Sequence, residues 1–179
     1  WGFLLNQRIP DDNVPLGPVA HQFRILKILG IELKHPHLEL WPDEQDELFV
    51  NEFLESEWIG SHHKIVGINV SASQRWETKV WPMHHVIKLC EELGRRDIRV
   101  VLTGSAQDLP RAQELLLGVK NVKPIIACGK TTVMQLACLV KRCTAYVSAD
   151  SAPLHVAAAM GTPFVALFGS TDPTRHLPY

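Results

Sequence analysis

The sequence lacks the short motifs that mark several large families of nucleotide-binding and hydrolytic enzymes. It contains neither a GxGxxG fingerprint nor a GxxxxGK[ST] phosphate loop, and it has no GxSxG turn for a nucleophilic serine. A dinucleotide-binding enzyme, a phosphate-loop NTPase and an α/β-hydrolase therefore have no motif in their favour.

Signatures of metal, membrane and nucleic-acid binding are also missing. The four cysteines form no CxxC pair and the paired histidines lack metal-ligand spacing, so we expect buried, reduced thiols in a cytosolic protein, with no metal and no cofactor. The longest apolar stretch, residues 155–169, is too short and too interrupted to span a bilayer. The formal net charge of −1 argues against nucleic-acid binding through bulk electrostatics.

The ends and the charge distribution carry further information. The first residues, WGFLLNQRIP, lack the basic start and cleavage site of a signal peptide, and a chain that opens on Trp1 is expected to be a piece of a longer protein. Residues 43–57 hold seven acidic residues and no basic one. We interpret them as a solvated helix face. The rest of the chain then has a surplus of positive charge, which is compatible with an anionic ligand but does not require one.

The pattern of apolar residues predicts a single α/β domain with a flanking segment. Residues 1–62 are predicted to be that segment, with a helix that ends near Gly30 and a second helix capped by Asp43. In residues 63–179, five short apolar runs alternate with helical patterns. This alternation predicts a Rossmann-like, doubly wound parallel sheet, with Pro124 placing the third strand at an edge.

In such a sheet, ligands bind beyond the carboxyl ends of the strands, so the loops there carry the candidate site residues. The loop after the first strand contains Ser71 and Ser73, whose small size lets the backbone approach a phosphate, and ends at Lys79. Lys79 either neutralises a departing diphosphate or is simply an exposed lysine. For the neighbouring Trp81 we favour core packing over stacking on a ligand.

The next two loops offer a choice between ligand contacts and helix caps. Thr103 and Gly104 end the second strand, and Gly104 permits a sharp turn under a ligand. Asp108 is predicted either to accept a hydrogen bond from a ribose hydroxyl or to cap its helix. The same alternatives apply to Thr131, and either Thr131 or Thr132 is expected to cap the helix that follows.

The strongest candidate is the segment of residues 148–155, where a strand passes into a helix within three residues. Free N–H groups at that helix start predict an anion site. Asp150 is assigned either to capping the turn or to holding a sugar hydroxyl, and Ser151 can add a neutral donor. A plain Asp–Ser cap is the alternative for the segment. His155 is predicted either to contact a ligand or to be a buried histidine that forms a hydrogen bond with a neighbouring loop.

Together these motifs resemble the heptosyltransferase family of bacterial glycosyltransferases. The run ADSAPLHVAAAMGTPFVALFGSTDP is similar to that family's Asp-Ser-Gly-Pro-x-His, Ala-Ala-x-Gly-x-Pro and Phe-Gly-x-Thr motifs, and residues 79–82 are similar to its Lys-Arg-Trp-Pro turn. The motifs at residues 102–104 and 129–131 follow in the same order. The sequence departs from the pattern in two places: Ala152 replaces a common Gly, and residues 70–71 replace Pro-Gly. Ala152 is expected to fit only if its φ is negative.

The resemblance implies a GT-B enzyme in which two such domains face each other. This chain would be the C-terminal domain, truncated at its end, which holds a nucleotide-sugar, ADP-heptose in the best-known members. The acceptor, a lipid-linked saccharide of the lipopolysaccharide core, and the acidic base would belong to the missing N-terminal domain. The fragment alone is therefore expected to be inactive, and the parent to be cytoplasmic, at most peripherally attached to the membrane. A GT-B enzyme that uses a UDP-sugar and a non-catalytic nucleotide-binding domain remain alternatives.

Overall fold

The structure, a computed structural model, describes residues 18–178 except 33, 36 and 73–76. The strands are β1 (Ile65–Asn69), β2 (Arg99–Thr103), β3 (Ile125–Ile126), β4 (Ala145–Ala149) and β5 (Phe164–Leu167). The helices are α1 (Pro18–Lys27), α2 (Glu44–Ser56), α3 (Met83–Gly94), α4 (Leu109–Gly118), α5 (Val133–Arg142), α6 (Ala152–Ala159) and α7 (Pro173–His176).

The strands form one sheet in the order β3-β2-β1-β4-β5, and all neighbours in it are parallel. From β1 the chain moves outward to β2 and β3, and it then returns to the other side of β1 to form β4 and β5. The order reverses between β1 and β4, which makes the carboxyl ends of these two strands the switch point where ligands bind in doubly wound sheets. The predicted fold class is confirmed, and β3 lies at a sheet edge as Pro124 indicated.

Local side-chain chemistry explains where the main helices begin. Asp43 accepts hydrogen bonds from the Gln45 and Asp46 amides at 2.9 and 3.0 Å, and the Asp46 carboxylate accepts one from the Asp43 amide. Thr132, rather than Thr131, forms the equivalent pair of bonds with Gln135 at the start of α5. The cap predicted at Asp43 is therefore confirmed, and the choice between the two threonines is settled.

The core lies on both faces of the sheet. On one face, α3 and α4 cover β1 and β2 with buried Val86, Cys90, Ala112 and Leu115. On the other face, α2 and α5 pack together over the strands with Val50, Leu54, Cys138 and Leu139. Helix α2, predicted as part of a flanking segment, thus contributes two side chains that are at most 2% exposed. The division of the chain at residue 62 stays a prediction.

The cysteines and the acidic segment lie as their composition predicted. All four cysteines are buried and none forms a disulfide. The acidic side chains of residues 43–57 are exposed or half-buried along α2 and its ends, as expected of a solvated helix face. Within the described ranges, no helix combines the length and the apolar character that crossing a membrane requires.

Candidate functional site

A cleft of about 590 Å³ opens at the carboxyl edge of the sheet, beside the switch point. Its walls come from the loops after β1, β2 and β4 and from the first turn of α5, so it occupies the position that the topology favours for a ligand. The lining residues are Asn69, Ser71, Ala72, Gly104, Ser105, Gln107, Asp108, Thr131, Thr132, Val133, Leu136, Ser151, Ala152 and Pro153.

A nearly buried ion pair joins the first loop to the fourth. The Lys79 Nζ lies 2.6 Å from the Asp150 Oδ2, and the two side chains are 13% and 7% exposed. The Thr171 hydroxyl donates to the same carboxylate oxygen at 2.9 Å, and His176 Nδ1 lies 3.9 Å from it. Burial alone would raise the pKa of Asp150, but the hydrogen bonds from Lys79 and Thr171 and the charge of Lys79 together lower it. Lys79 is thus not an exposed lysine.

Asn69, at the end of β1, connects the same two loops, and the sequence reasoning missed it. Its side-chain amide donates to the Ser71 carbonyl at 2.6 Å and to the Ser151 hydroxyl at 3.1 Å. The Ser151 hydroxyl also lies 3.1 Å from that of Ser148 and donates to the Ala149 carbonyl at 3.2 Å. A polar residue that ends an otherwise apolar strand was the available signal for Asn69.

The start of α6 differs from the predicted cap. Neither Asp150 nor Ser151 accepts a hydrogen bond from the helix backbone, because Asp150 bonds Lys79 and Thr171 instead. Pro153 has no N–H and the Leu154 amide donates to the Ser151 carbonyl, so the amides that this end can offer a ligand precede Pro153. Ala152 is helical with a negative φ, as its fit requires.

The loop after β2 explains why glycine occupies position 104. A Cβ there would lie 3.0 Å from the Asp108 side chain and 3.2 Å from the Cys128 Sγ, so a larger residue would push into packed neighbours. The Asp108 Oδ2 accepts bonds from the Ser105 amide at 2.7 Å and the Ser105 hydroxyl at 2.6 Å. Asp108 therefore caps this turn while it also lines the cleft.

Of the remaining candidate residues, some line the cleft and others do not. Thr131 lines the cleft, whereas the Thr103 side chain is buried and its hydroxyl lies 2.5 Å from that of Tyr146, away from the cleft wall. His155 is half-buried, and burial lowers the pKa of its imidazole. Ser73 lies outside the described residues. Gln107 lines the cleft and was not predicted.

Fold and site together define a Rossmann-like domain with a ligand-sized cleft at its topological switch point. No group of histidine, cysteine or acidic side chains among the described residues is arranged to hold a metal ion. The family model of glycosyltransferase family 9 (heptosyltransferase) matches residues 18–179, and the chain belongs to this family.

Known relatives agree with that assignment. The chain is 32% identical over 152 residues to lipooligosaccharide heptosyltransferase 2 of Haemophilus influenzae, and this alignment covers 83% of this chain and 43% of the relative. It is 31% identical over 142 residues to lipopolysaccharide heptosyltransferase 2 of Salmonella typhimurium, and this alignment covers 77% of this chain and 40% of the relative. The chain thus spans less than half the length of these relatives.

Solved structures show the same architecture. The family 9 glycosyltransferase of Veillonella parvula superposes with a TM-score of 0.87 and 26% identity, over 96% of this chain and 49% of that one. The E. coli ADP-heptose lipopolysaccharide heptosyltransferase II gives a TM-score of 0.68 and 29% identity, over 78% of this chain and 42% of that one. The predicted GT-B fold class and the predicted family are confirmed.

Proposed function

We propose that this chain binds the nucleoside diphosphate of a sugar donor, ADP-heptose, in the cleft beside β1 and β4. The full-length protein would transfer the heptose to a saccharide of the lipopolysaccharide inner core. Two relatives are heptosyltransferases of lipooligosaccharide and lipopolysaccharide, which supports the heptose and the acceptor. The similar E. coli structure is an ADP-heptose lipopolysaccharide heptosyltransferase, which supports the ADP-linked donor.

The observation that carries this proposal is the meeting of two loops that lie far apart in sequence. Lys79 reaches Asp150 at 2.6 Å, and Asn69 links Ser71 to Ser151 at the edge of the same cleft. Asn69, Ser71 and Ser151 line one end of a cavity large enough for a nucleotide-sugar. Lys79 is not part of that lining, but its partner Asp150 directly precedes Ser151, so the ion pair supports a diphosphate site at this end.

Transfer would proceed by attack of an acceptor hydroxyl oxygen on the anomeric carbon of the donor sugar. The bond from that carbon to the diphosphate oxygen breaks, and the electron pair leaves with the diphosphate. Because negative charge grows on the leaving group, a fixed cation beside it stabilises the transition state more than the ground state. Lys79 is proposed for that role.

Asp150 would act as a positioning residue for Lys79 rather than as a phosphate contact. Its carboxylate is anionic at neutral pH because its pKa is lowered, so it would repel a bare phosphate. By holding the Lys79 ammonium at 2.6 Å, it would fix the position of the cation beside the cleft.

The other end of the cleft is suited to the nucleoside. Val133 and Leu136 offer apolar surface for a base, next to Thr131 and Gly104. The Ser105 amide and hydroxyl both donate to the Asp108 Oδ2, so the Oδ1 is the oxygen that we assign to a ribose hydroxyl. Contacts of Ser73, Thr103 and His155 with the donor stay predictions.

The acceptor site and the general base are proposed to lie on an N-terminal domain of the full-length protein, as the family resemblance implies. Its acceptor is lipid-linked, so we propose that the protein works on the cytoplasmic side of the membrane and associates with it only peripherally.

Titration calorimetry with ADP, UDP and ADP-heptose tests the proposed donor. We expect ADP and ADP-heptose to bind more tightly than UDP. Tighter binding of UDP would indicate a UDP-sugar enzyme, and no binding of either nucleotide would contradict a donor site in this cleft.

Kinetics of the full-length protein test the proposed role of Lys79. Lys79→Ala should lower the rate of heptose transfer by roughly tenfold to a thousandfold, the range for a lost electrostatic stabiliser. Lys88→Ala, on an exposed position of α3, is the matched control and should leave the rate unchanged. Equal rates for the two variants would refute the role, and absence of transfer by the wild type would favour a non-catalytic nucleotide-binding domain.

A further inference from the structure

We infer that Arg111 is a positioning residue that fastens both ends of the loop bearing the proposed diphosphate contacts. Its Nε donates to the Val70 carbonyl at 2.8 Å, and its Nη2 donates to the Trp81 carbonyl at 3.0 Å. Val70 follows β1 directly, and Trp81 comes two residues before α3 begins. One guanidinium therefore joins Val70 and Trp81, the two ends of the segment that connects β1 to α3.

The position of this contact connects it to the site. Ser71 follows Val70 in the chain, and Lys79 precedes Trp81 by two residues. A loop whose two ends are tied has fewer conformations to lose when it binds a ligand, so the donor contacts become preorganised. Arg111 lies on α4, which packs against α3 and follows β2. The packed helix therefore fixes the position of the guanidinium, and the guanidinium fixes the ends of the loop.

The chemistry of the contact explains why arginine is needed. Two N–H groups of one planar guanidinium point to two acceptors at once, whereas a lysine ammonium is a compact donor on a flexible stem. Among the described residues the ion pairs do not include Arg111, so the two carbonyl oxygens are its principal partners there. Its half-buried charge is thus used to hold backbone rather than to neutralise an acid.

This inference rests on the proposed function only for its effect on the donor, so the test has one readout that needs no ligand. Hydrogen exchange of the full-length protein is measured by mass spectrometry for Arg111→Met and Arg111→Lys. Hydrogen bonds from a charged donor are worth about a tenfold change in an equilibrium or more. We therefore expect roughly tenfold faster exchange in residues 71–81 of Arg111→Met, with the strands unchanged, and a smaller increase in Arg111→Lys.

The second readout is the dissociation constant for ADP, which should rise by about tenfold in Arg111→Met and less in Arg111→Lys. Arg96→Met is the matched control, because Arg96 is exposed and pairs with Glu92 on α3, and it should change neither readout. Unchanged exchange in the loop, or equally faster exchange in all strands, would overturn the inference, and Arg111→Lys decides it if Arg111→Met does not fold. Failure of the wild type to bind ADP would contradict the proposed function. The hydrogen-exchange rate of the loop would still test the role of Arg111, because that measurement needs no ligand.

Discussion

The ion pair between Lys79 and Asp150 allows a quantitative test of how the cleft is held together. Lys79→Met removes the ammonium but keeps a long apolar side chain, so it leaves the Asp150 carboxylate 7% exposed with the Thr171 hydroxyl as its remaining strong partner. Exposed pairs contribute about 0–1 kcal/mol, whereas removing one partner of a buried pair costs about 3–5 kcal/mol. For this nearly buried pair we expect a loss of about 2 kcal/mol in the free energy of unfolding.

The double variant gives the sharper result. In Lys79→Met/Asp150→Asn both charges of the pair are removed, so the double variant should be more stable than Lys79→Met alone, although it carries one more substitution. The assay is urea unfolding at pH 7 of the wild type, both single variants and the double variant. If the losses of the single variants simply add in the double variant, the two side chains do not interact as the structure shows.

The same pair predicts a dependence on pH. In the wild type the pKa of Asp150 is lowered, so the pair stabilises the protein fully above the carboxyl's unfolded pKa of about 3.9 and this stabilisation is lost as pH falls through the folded pKa. Without Lys79, burial still raises the pKa of Asp150 while the hydrogen bond and the charge of Lys79 no longer lower it, so the folded pKa is higher in Lys79→Met than in the wild type. The difference in unfolding free energy between wild type and Lys79→Met should therefore shrink as pH falls through the folded pKa of the variant. A constant difference would refute the reasoning.

The remaining predictions concern the backbone and the thiols. Gly129→Ala should destabilise the protein by about 3 kcal/mol in urea unfolding, because φ is +71° and a Cβ would lie 2.7 Å from the Ala106 Cα. Gly161→Ala, with φ +66° and no atom within 4 Å, should cost only about 1 kcal/mol, and equal losses would exclude the steric contribution. Trp58→Gly should stabilise by about 1 kcal/mol, because Trp58 is 89% exposed at φ +60°, and a lower melting temperature would contradict this. Burial raises the pKa of three thiols to about 12, so they should react with a thiol reagent at pH 8 only after unfolding; these are Cys90, Cys128 and Cys143.

Much of the architecture was readable from local patterns. The apolar runs predicted all five strands, since residues buried on both faces of a parallel sheet must be apolar almost without interruption. Pro124 placed β3 at an edge because proline cannot donate a ladder hydrogen bond. Asp43 predicted the start of α2 because its carboxylate bonds amides only two and three residues away.

The site was predicted less completely because its contacts join distant parts of the chain. Sequence reasoning assigned Asp150 to a local cap or a sugar hydroxyl, but its carboxylate instead bonds Lys79. It placed Thr103 among the candidate residues of the second loop, and the Thr103 hydroxyl lies 2.5 Å from the Tyr146 hydroxyl inside the core. Neither partner can be chosen from spacing, since Lys79 and Asp150 lie 71 residues apart, Thr103 and Tyr146 lie 43 apart, and only the sheet order brings each pair together.

What the sequence by itself determined is the set of elements and the loops that end at the carboxyl side of the sheet, because period, capping and turn chemistry act within a few residues. Only the tertiary structure decided which side chains face each other there. The return of the chain across β1 brings residue 79 against residue 150, and the outward step from β1 to β2 brings α4 to the loop that Arg111 holds. Such pairings depend on the packing of whole layers, which no local pattern encodes.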